Sequence, residues 1–433
     1  MTPGATPYPG DMTDASARSA GVRPVLGAVL AHPIALWAGF VVVHFVLGML
    51  GFYGPGLPLG DITLVYRFWI ENGQNADIWV GIDTAWVYPV LALVPMLIAS
   101  LFGPDLYAST WLSLVMLVDA VAFAVLTRAG RDRGLARVGW WWLAFLLLLG
   151  PVALGRIDAI TVAVAMTGVL VLGSAPRLAG VLLAVATWIK VWPAALLAAA
   201  VLALRTRWRI AVAAAGTSVL VAGVALALGA GPNLLSFITQ QAGRGLQVES
   251  PIATFWMWDA FATRSTRSLV YYDQGILTFQ VVGPGTVTAA AVMTPVLAAA
   301  TGLLLVLGWV AVRRGVAAAE LLPPLMLAIT TALILFNKVG SPQFVTWLAV
   351  PIVLGLTASV AGSGASFRVP VVLGLVIAGL TQAIYPYLYG QLLALDFTLL
   401  LILSARNVLY LALFAWAVAA LIGLVRREEP VRP

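Results

Sequence analysis

Residues 210–228 read IAVAAAGTSVLVAGVALAL, an almost continuously apolar stretch with no charged side chain. Its length is close to the roughly 20 residues that a helix needs to cross the hydrocarbon of a bilayer. A strand of a membrane barrel would instead place apolar side chains at every second position. This stretch therefore predicts a transmembrane helix.

Apolar runs of similar length recur along the chain and decide its fold class. Of the 433 residues, 62% are hydrophobic and 9% are charged, whereas a soluble chain carries about 25% charged residues. This composition excludes a water-soluble fold and predicts an all-α, polytopic integral membrane protein with about 12 (11–13) transmembrane helices. The spans are predicted near residues 34–53, 86–103, 107–127, 138–154, 157–173, 178–204, 210–230, 287–311, 320–336, 343–360, 369–388 and 398–424.

Arginine clusters between the apolar runs indicate the orientation of the chain. They lie at residues 128–137, 205–209, 313–314 and 426–427. The positive-inside rule places such clusters in the cytoplasm. All four can lie there if segment 86–103, with Pro89 and Pro95, is broken or re-entrant and segment 178–204 consists of two short helices bent at Pro193.

With both adjustments, the two termini are predicted to lie inside the cell. Residues 1–25 are rich in Pro, Gly, Ser, Thr and Ala and read as a disordered cytoplasmic tail. Residues 26–425 then form a single transmembrane domain, and residues 426–433 form a second cytoplasmic tail. The connections 54–85 and 231–286 are predicted as long outer loops that carry short interfacial helices, and loops of that length are usually functional.

Charge and cysteine content narrow the possible functions. The net charge is +7, but its arginines lie in loop clusters that are typical of membrane anchoring, so membrane lipid is an expected partner and nucleic acid is not. The chain has no cysteine and two histidines, which excludes a thiolate metal site and a histidine-rich one. We predict neither a metal nor a cofactor.

The first outer loop contains the candidate catalytic residue, Asp61, just after the first predicted span. A carboxylate at the boundary between water and lipid can be reached by a hydroxyl acceptor, and nearby arginine keeps it ionised. Asp61 is thus a candidate general base, with Tyr66 beside it. The alternative is that Asp61 only caps a short amphipathic helix over residues 62–72.

Two further motifs combine aromatic or charged residues with apolar runs. Tyr88 lies in Trp-Val-Tyr-Pro at residues 86–89, and Arg156 and Asp158 lie in Gly-Arg-Ile-Asp at residues 155–158. All three are candidates for substrate contact. The alternatives are an aromatic anchor at the membrane interface for Tyr88 and a structural ion pair between Arg156 and Asp158.

The chain has only two lysines, and both lie in unusual settings. Lys190 is surrounded by apolar residues next to a helix-breaking proline, and Lys338 lies with Gln343 in a polar segment between two spans. A cation at a broken helix is a natural site for lipid phosphate. Arg244 lies beside glutamines and tryptophans in the second outer loop, a combination that is typical of a cleft for carbohydrate or a lipid headgroup. The alternatives are that Lys190 only snorkels to the headgroup region, that residues 337–343 are only a turn, and that the second loop is an interfacial helix.

Taken in order, four motifs resemble a known family: Gly-Asp at residues 60–61, Trp-x-Tyr-Pro at 86–89, Lys-Val-Trp-Pro at 190–193 and Asn-Lys-x-Gly-Ser-Pro-Gln at 337–343. They resemble the actinobacterial polyprenyl-phosphate-mannose-dependent mannosyltransferases of the GT-C type, in glycosyltransferase family 87, over most of residues 34–360. The chain departs from the family pattern at Val90, where a second proline is common, and at residues 155–158, where Gly-Gln-x-Asn is common.

The resemblance implies a multi-pass enzyme in the plasma membrane of a bacterium, with its active site facing outward. The donor would be a polyprenyl phosphate sugar, with mannose expected, and the acceptor an outer-leaflet glycolipid or glycan. Asp61 would deprotonate the acceptor hydroxyl, with inversion at the anomeric carbon. Lys190, Lys338 and Arg244 would bind the donor phosphate, and the substrate-binding residues would be Tyr66, Tyr88, Arg156, Asp158 and Gln343.

Two other classes of protein share this composition. A transporter or flippase of a lipid-linked or small solute would place polar residues along mid-membrane helices and would show an internal repeat, which this sequence lacks. An inactive scaffold would not need Asp, Lys and Arg in apolar surroundings, where charged side chains are costly. The sequence therefore favours the enzyme.

Overall fold

The computed structural model describes residues 30–426. The predicted tail at residues 1–25 and residues 427–433 of the second predicted tail lie outside that range. Within it, eight helical segments are long and apolar enough to cross a membrane, and five shorter apolar helices accompany them. The prediction of an all-α polytopic membrane protein is confirmed, while the count of about 12 spans stays a prediction.

Within the described residues, the part of the chain before the second long loop forms nine α-helices. They are α1 (Pro33–Tyr53), α2 (Arg67–Ala76), α3 (Leu93–Ala99), α4 (Tyr107–Thr127), α5 (Arg133–Leu149), α6 (Ile157–Leu170), α7 (Pro176–Ile189), α8 (Pro193–Ala203) and α9 (Arg207–Ala227). Proline stands at the start of α1, α7 and α8, where its missing N–H has no intrahelical partner to lose.

The remainder of the described chain contains eight more α-helices and a small sheet. The helices are α10 (Ser236–Ala242), α11 (Thr254–Ala262), α12 (Thr286–Arg313), α13 (Ala318–Leu335), α14 (Ala349–Val360), α15 (Arg368–Ile384), α16 (Tyr389–Leu393) and α17 (Phe397–Arg426). The strands are β1 (Leu246–Gln247), β2 (Leu269–Asp273) and β3 (Thr278–Val282), in the antiparallel order β1-β3-β2.

Both segments that the sequence predicts to be broken are broken in the structure. Residues 86–103 contain only a 3₁₀ turn at Val90–Ala92 and the seven-residue α3. Residues 178–204 divide into α7 and α8 around Lys190, whose backbone is extended. A similar interruption, residues 336–348, separates α13 from α14 and ends in the 3₁₀ helix Pro342–Leu348.

The two long loops, residues 54–85 and 231–286, are structured and contact each other, since Nδ2 of Asn233 donates to the carbonyl oxygen of Ile82 at 2.8 Å. The first carries a continuous helical segment that starts as the π-helix Asp61–Tyr66 and continues as α2. The second carries α10, α11 and the sheet, which the sequence analysis did not predict. Ser236 of α10 accepts a hydrogen bond from the backbone N–H of Trp86 at 2.9 Å, so the second loop is fixed against the start of the broken segment.

Buried side chains form one large hydrophobic cluster within the bundle and a smaller one beneath the second outer loop. The smaller cluster joins Leu246, Val281 and Met257 of the loop to Leu400 and Leu403 of α17. Irregular backbone at membrane depth is tolerated where it is buried in protein or lines a cavity. The helix interruptions near Gly155, Lys190 and Lys338 lie together where their irregular backbone is buried in protein.

Candidate functional site

Asp61 occupies the first turn of the π-helical segment and is paired with a buried arginine. Its Oδ2 lies 3.0 Å from Nε of Arg156, and the Asp61 side chain retains 39% exposure while Arg156 retains 5%. The residue at the cap position is Gly60, and no side-chain capping bond is made there. The alternative that Asp61 only caps the helix is therefore wrong. Single π-helical turns are frequent at functional sites.

All three guanidinium nitrogens of Arg156 contact the protein. Nη1 donates to the carbonyl oxygens of Pro58 at 3.1 Å and of Gly155 at 2.8 Å, and Nη2 donates to the hydroxyl of Tyr385. Together with the contact to Asp61, these bonds fix the guanidinium plane. Arg156 therefore orients the Asp61 carboxylate and supplies a permanent positive charge beside it.

Asp158 pairs with Lys190 and not with Arg156, so the predicted alternative of an Arg156–Asp158 ion pair is wrong. Lys190 Nζ lies 2.6 Å from Asp158 Oδ2, and Nε1 of Trp347 donates to Asp158 Oδ1 at 2.6 Å. Asp158 is fully buried. Residues two apart at the start of a helix do not face each other, which is why Arg156 and Asp158 find separate partners.

Aromatic rings surround the Lys190 ammonium group. It lies 5.1 Å from the ring centre of Phe344, 5.5 Å from that of Tyr88 and 5.8 Å from that of Trp347. Cation–π contacts of this kind stabilise a desolvated charge. Phe344 directly follows Gln343, whose side chain is buried, so the polar segment before α14 contributes to the same site.

Tyr66 links the Asp61 and Asp158 parts of the site. Its hydroxyl accepts a hydrogen bond from the backbone N–H of Ile157 at 3.3 Å, and its ring lies 6.4 Å from that of Tyr88. Burial raises the pKa of Tyr66 well above its ordinary value, and burial also raises that of Tyr88. Both phenols therefore stay protonated and can donate hydrogen bonds.

Arg244 and Lys338 form a second group of cations close to Tyr88. Burial lowers the pKa of Arg244, and burial together with the charge of Arg244 lowers the pKa of Lys338. Nε of Arg244 is buried and has no hydrogen-bond partner among residues 30–426. Two like charges that influence each other in a partly buried place favour an anion near them.

The structure thus brings the charged and tyrosine residues predicted for the site into one region formed by the helix interruptions and the two long loops, and Gln343 directly precedes Phe344 of that region. It adds Tyr385 and Trp347, which the sequence analysis missed. Tyr385 lies 229 residues from its partner Arg156, so no local pattern could reveal the contact. Among the described residues, no group of three His, Cys, Asp or Glu side chains could hold a metal ion.

The family model described as glycosyltransferase family 87 matches residues 86–335, more than half of the chain. That range includes Tyr88, Arg156, Asp158, Lys190 and Arg244. It does not reach Asp61, Lys338 or Gln343. No curated protein and no solved structure matches the chain.

Proposed function

The chain belongs to glycosyltransferase family 87, a membership that makes it a membrane glycosyltransferase, and we propose that it transfers a hexose from a polyprenyl phosphate donor. The proposed sugar is mannose, and the proposed acceptor is an outer-leaflet glycolipid or glycan. The proposed place is the plasma membrane of a bacterium, with the site facing outward. The ion pair of half-exposed Asp61 with buried Arg156 is the observation that carries this proposal.

The proposed reaction is a single displacement with inversion. Asp61 takes the proton of the acceptor hydroxyl as its oxygen attacks the anomeric carbon of the donor sugar. The bond between that carbon and the phosphate oxygen breaks, and the polyprenyl phosphate leaves with the electron pair. Arg156 holds the Asp61 carboxylate in position before transfer.

Cations would stabilise the leaving phosphate. Arg244 and Lys338, whose charges interact, are proposed for this role. Charge-assisted hydrogen bonds to phosphate are about twice as strong as neutral ones. Lys190 is proposed for the same role, although it shares its charge with Asp158. Tyr66, Tyr88 and Gln343 would contact the sugar.

A donor panel tests the proposal. The purified protein in proteoliposomes is supplied with a lipid extract containing acceptors and with polyprenyl phosphate mannose, polyprenyl phosphate glucose or GDP-mannose, each labelled in the sugar. We expect labelled glycolipid or glycan from polyprenyl phosphate mannose and none from GDP-mannose. Movement of the lipid-linked sugar across the bilayer without a glycosylated product would instead favour a flippase.

The lowered pKa of Lys338 predicts an alkaline limit to donor use. Only the protonated ammonium attracts the phosphate, and it loses its proton at a lower pH than an exposed lysine does. We therefore expect kcat/KM for the donor, which reports the free enzyme, to fall as the pH rises through that pKa. Since Arg244 is one cause of the lowering, Arg244→Gln should move this fall to higher pH while it weakens binding overall. A fall at the same pH in both proteins would contradict the pairing of the two cations.

A further inference from the structure

Another buried ion pair lies outside the residues discussed so far and joins α17 to the second long loop. Nη1 of Arg406 lies 2.7 Å from Oε2 of Glu249. Nη2 of Arg406 donates to the backbone carbonyl of Glu249 at 2.9 Å. Both side chains retain 2% exposure. One guanidinium group therefore binds both the side chain and the backbone of the same loop residue.

Neighbouring bonds strengthen this attachment. Oδ1 of Asn407 accepts hydrogen bonds from Nε and Nη2 of Arg406, each at 3.3 Å, and Nδ2 of Asn407 donates to Thr254 at the start of α11 at 2.8 Å. An arginine within an apolar helix is costly and usually marks a functional position. Truncating one partner of a buried pair leaves an uncompensated charge.

The attached segment is in direct contact with the backbone around Lys338. The backbone N–H of Gln247 donates to the carbonyl oxygen of Lys338 at 3.0 Å. A Cβ atom built on Gly340 would lie 2.1 Å from the backbone nitrogen of Ser250, so only glycine permits this close approach. A continuous series of contacts thus runs from α17 through residues 247–250 to the segment that carries Lys338.

We infer that Arg406 is a positioning residue for the donor phosphate site. Through Glu249 it fixes residues 247–250, and these fix the segments that carry Arg244 and Lys338 relative to each other. The inference rests on the proposed function for the identity of the anion, namely a lipid phosphate. Arg406 itself touches no substrate in this role.

Replacing Arg406 should weaken donor use more than turnover. In Arg406→Gln, we expect kcat/KM for the polyprenyl phosphate sugar to fall by on the order of 100-fold, the loss that small misplacements can cause. Most of the loss should appear in the donor KM, with kcat at saturating donor close to that of the wild type. Arg406→Lys keeps the charge but not the planar fork of donors. Its kcat/KM for the donor should therefore lie between the values of the wild type and of Arg406→Gln.

The matched control is the buried pair of His44 and Asp119 between α1 and α4. Nε2 of His44 lies 3.0 Å from Oδ2 of Asp119, and the other hydrogen bond of His44 goes to the carbonyl oxygen of Phe40. Asp119→Asn should lower thermal stability without a selective rise in the donor KM. If Asp119→Asn raises the donor KM as much as Arg406→Gln does, the positioning role is wrong.

Gly340→Ala gives an independent test at the other end of the series of contacts. It should separate the two segments and raise the donor KM without touching the ion pair. Gly302→Ala, where an added Cβ would meet nothing within 4 Å, should leave the donor KM unchanged. A normal donor KM in folded Gly340→Ala would contradict the inference.

Limited trypsin digestion tests the positioning role of Arg406 independently of the proposed function. If Arg406 fixes the segment, trypsin should cleave the bond after Arg244 faster in Arg406→Gln and in Glu249→Gln than in the wild type. The rate of cleavage, measured by mass spectrometry, should be unchanged in Asp119→Asn. This readout needs no substrate, so it holds even if the wild type rejects polyprenyl phosphate donors and the proposed function fails. Unchanged cleavage, or faster cleavage with an unchanged donor KM in an active enzyme, overturns the positioning role.

Discussion

Asp61→Asn should lower the rate of sugar transfer by roughly 10²- to 10⁴-fold, the usual contribution of a general base. The amide of asparagine can still accept the hydrogen bond from Arg156, so the fold and donor binding should persist. The measurement is kcat with polyprenyl phosphate mannose in proteoliposomes, together with the donor KM. The loss should appear in kcat.

Glu71→Gln is the control for this experiment. Glu71 lies in the same helical segment, pairs with Arg67 at 3.3 Å and has the same 39% side-chain exposure as Asp61. Removal of its charge should leave kcat close to the wild-type value. Wild-type turnover in Asp61→Asn, or equal losses in the two variants, would remove Asp61 as the base.

Lys190→Met should cause the largest loss of stability among the site variants. It leaves the buried Asp158 carboxylate with the Trp347 N–H as its remaining side-chain donor, and breaking a buried ion pair in this way costs about 3–5 kcal/mol. The measurement is the midpoint of thermal unfolding in detergent. Lys190→Met/Asp158→Asn removes both charges, so it should recover most of that stability.

The double variant also separates the two possible roles of Lys190. If Lys190 contributes to phosphate binding, as proposed, the double variant should regain stability but keep a reduced kcat/KM for the donor. Recovery of both stability and kcat/KM would mean that Lys190 only neutralises Asp158. Replacement of a buried ion pair by neutral residues is often well tolerated, so the double variant should be stable enough for its kcat/KM to be measured.

The fold class could be predicted from the sequence because the bilayer constrains it strongly. Lipid cannot satisfy backbone hydrogen bonds, so apolar runs of sufficient length must be helical. Pro89, Pro95 and Pro193 also indicated the broken segments correctly, since proline removes a backbone donor. The sheet in the second outer loop was missed because the preference of short segments for strands depends on their packing partners.

Several of the residues that lie together in the candidate site could be named from the sequence, but their pairing could not, and their roles stay predictions. Charged residues in apolar surroundings stand out in a sequence, and this is how Asp61, Arg156, Asp158 and Lys190 were found. Which of them pair depends on helix directions and on contacts between distant segments. Arg406 carries the same signal, a lone arginine within a predicted span, but its partner Glu249 lies 157 residues away and no local pattern connects the two.

Accessibility of the helical segment that carries Asp61 tests most directly whether the site acts on the outer face of the membrane. The chain has no cysteine, so Asn75→Cys and Arg205→Cys each introduce a single thiol at an exposed position. In intact cells, a membrane-impermeant maleimide should label Asn75→Cys at once and Arg205→Cys only after permeabilisation. Labelling of Arg205→Cys in intact cells, with Asn75→Cys protected until the membrane is opened, would place Asp61 in the cytoplasm and contradict an outward-facing transferase.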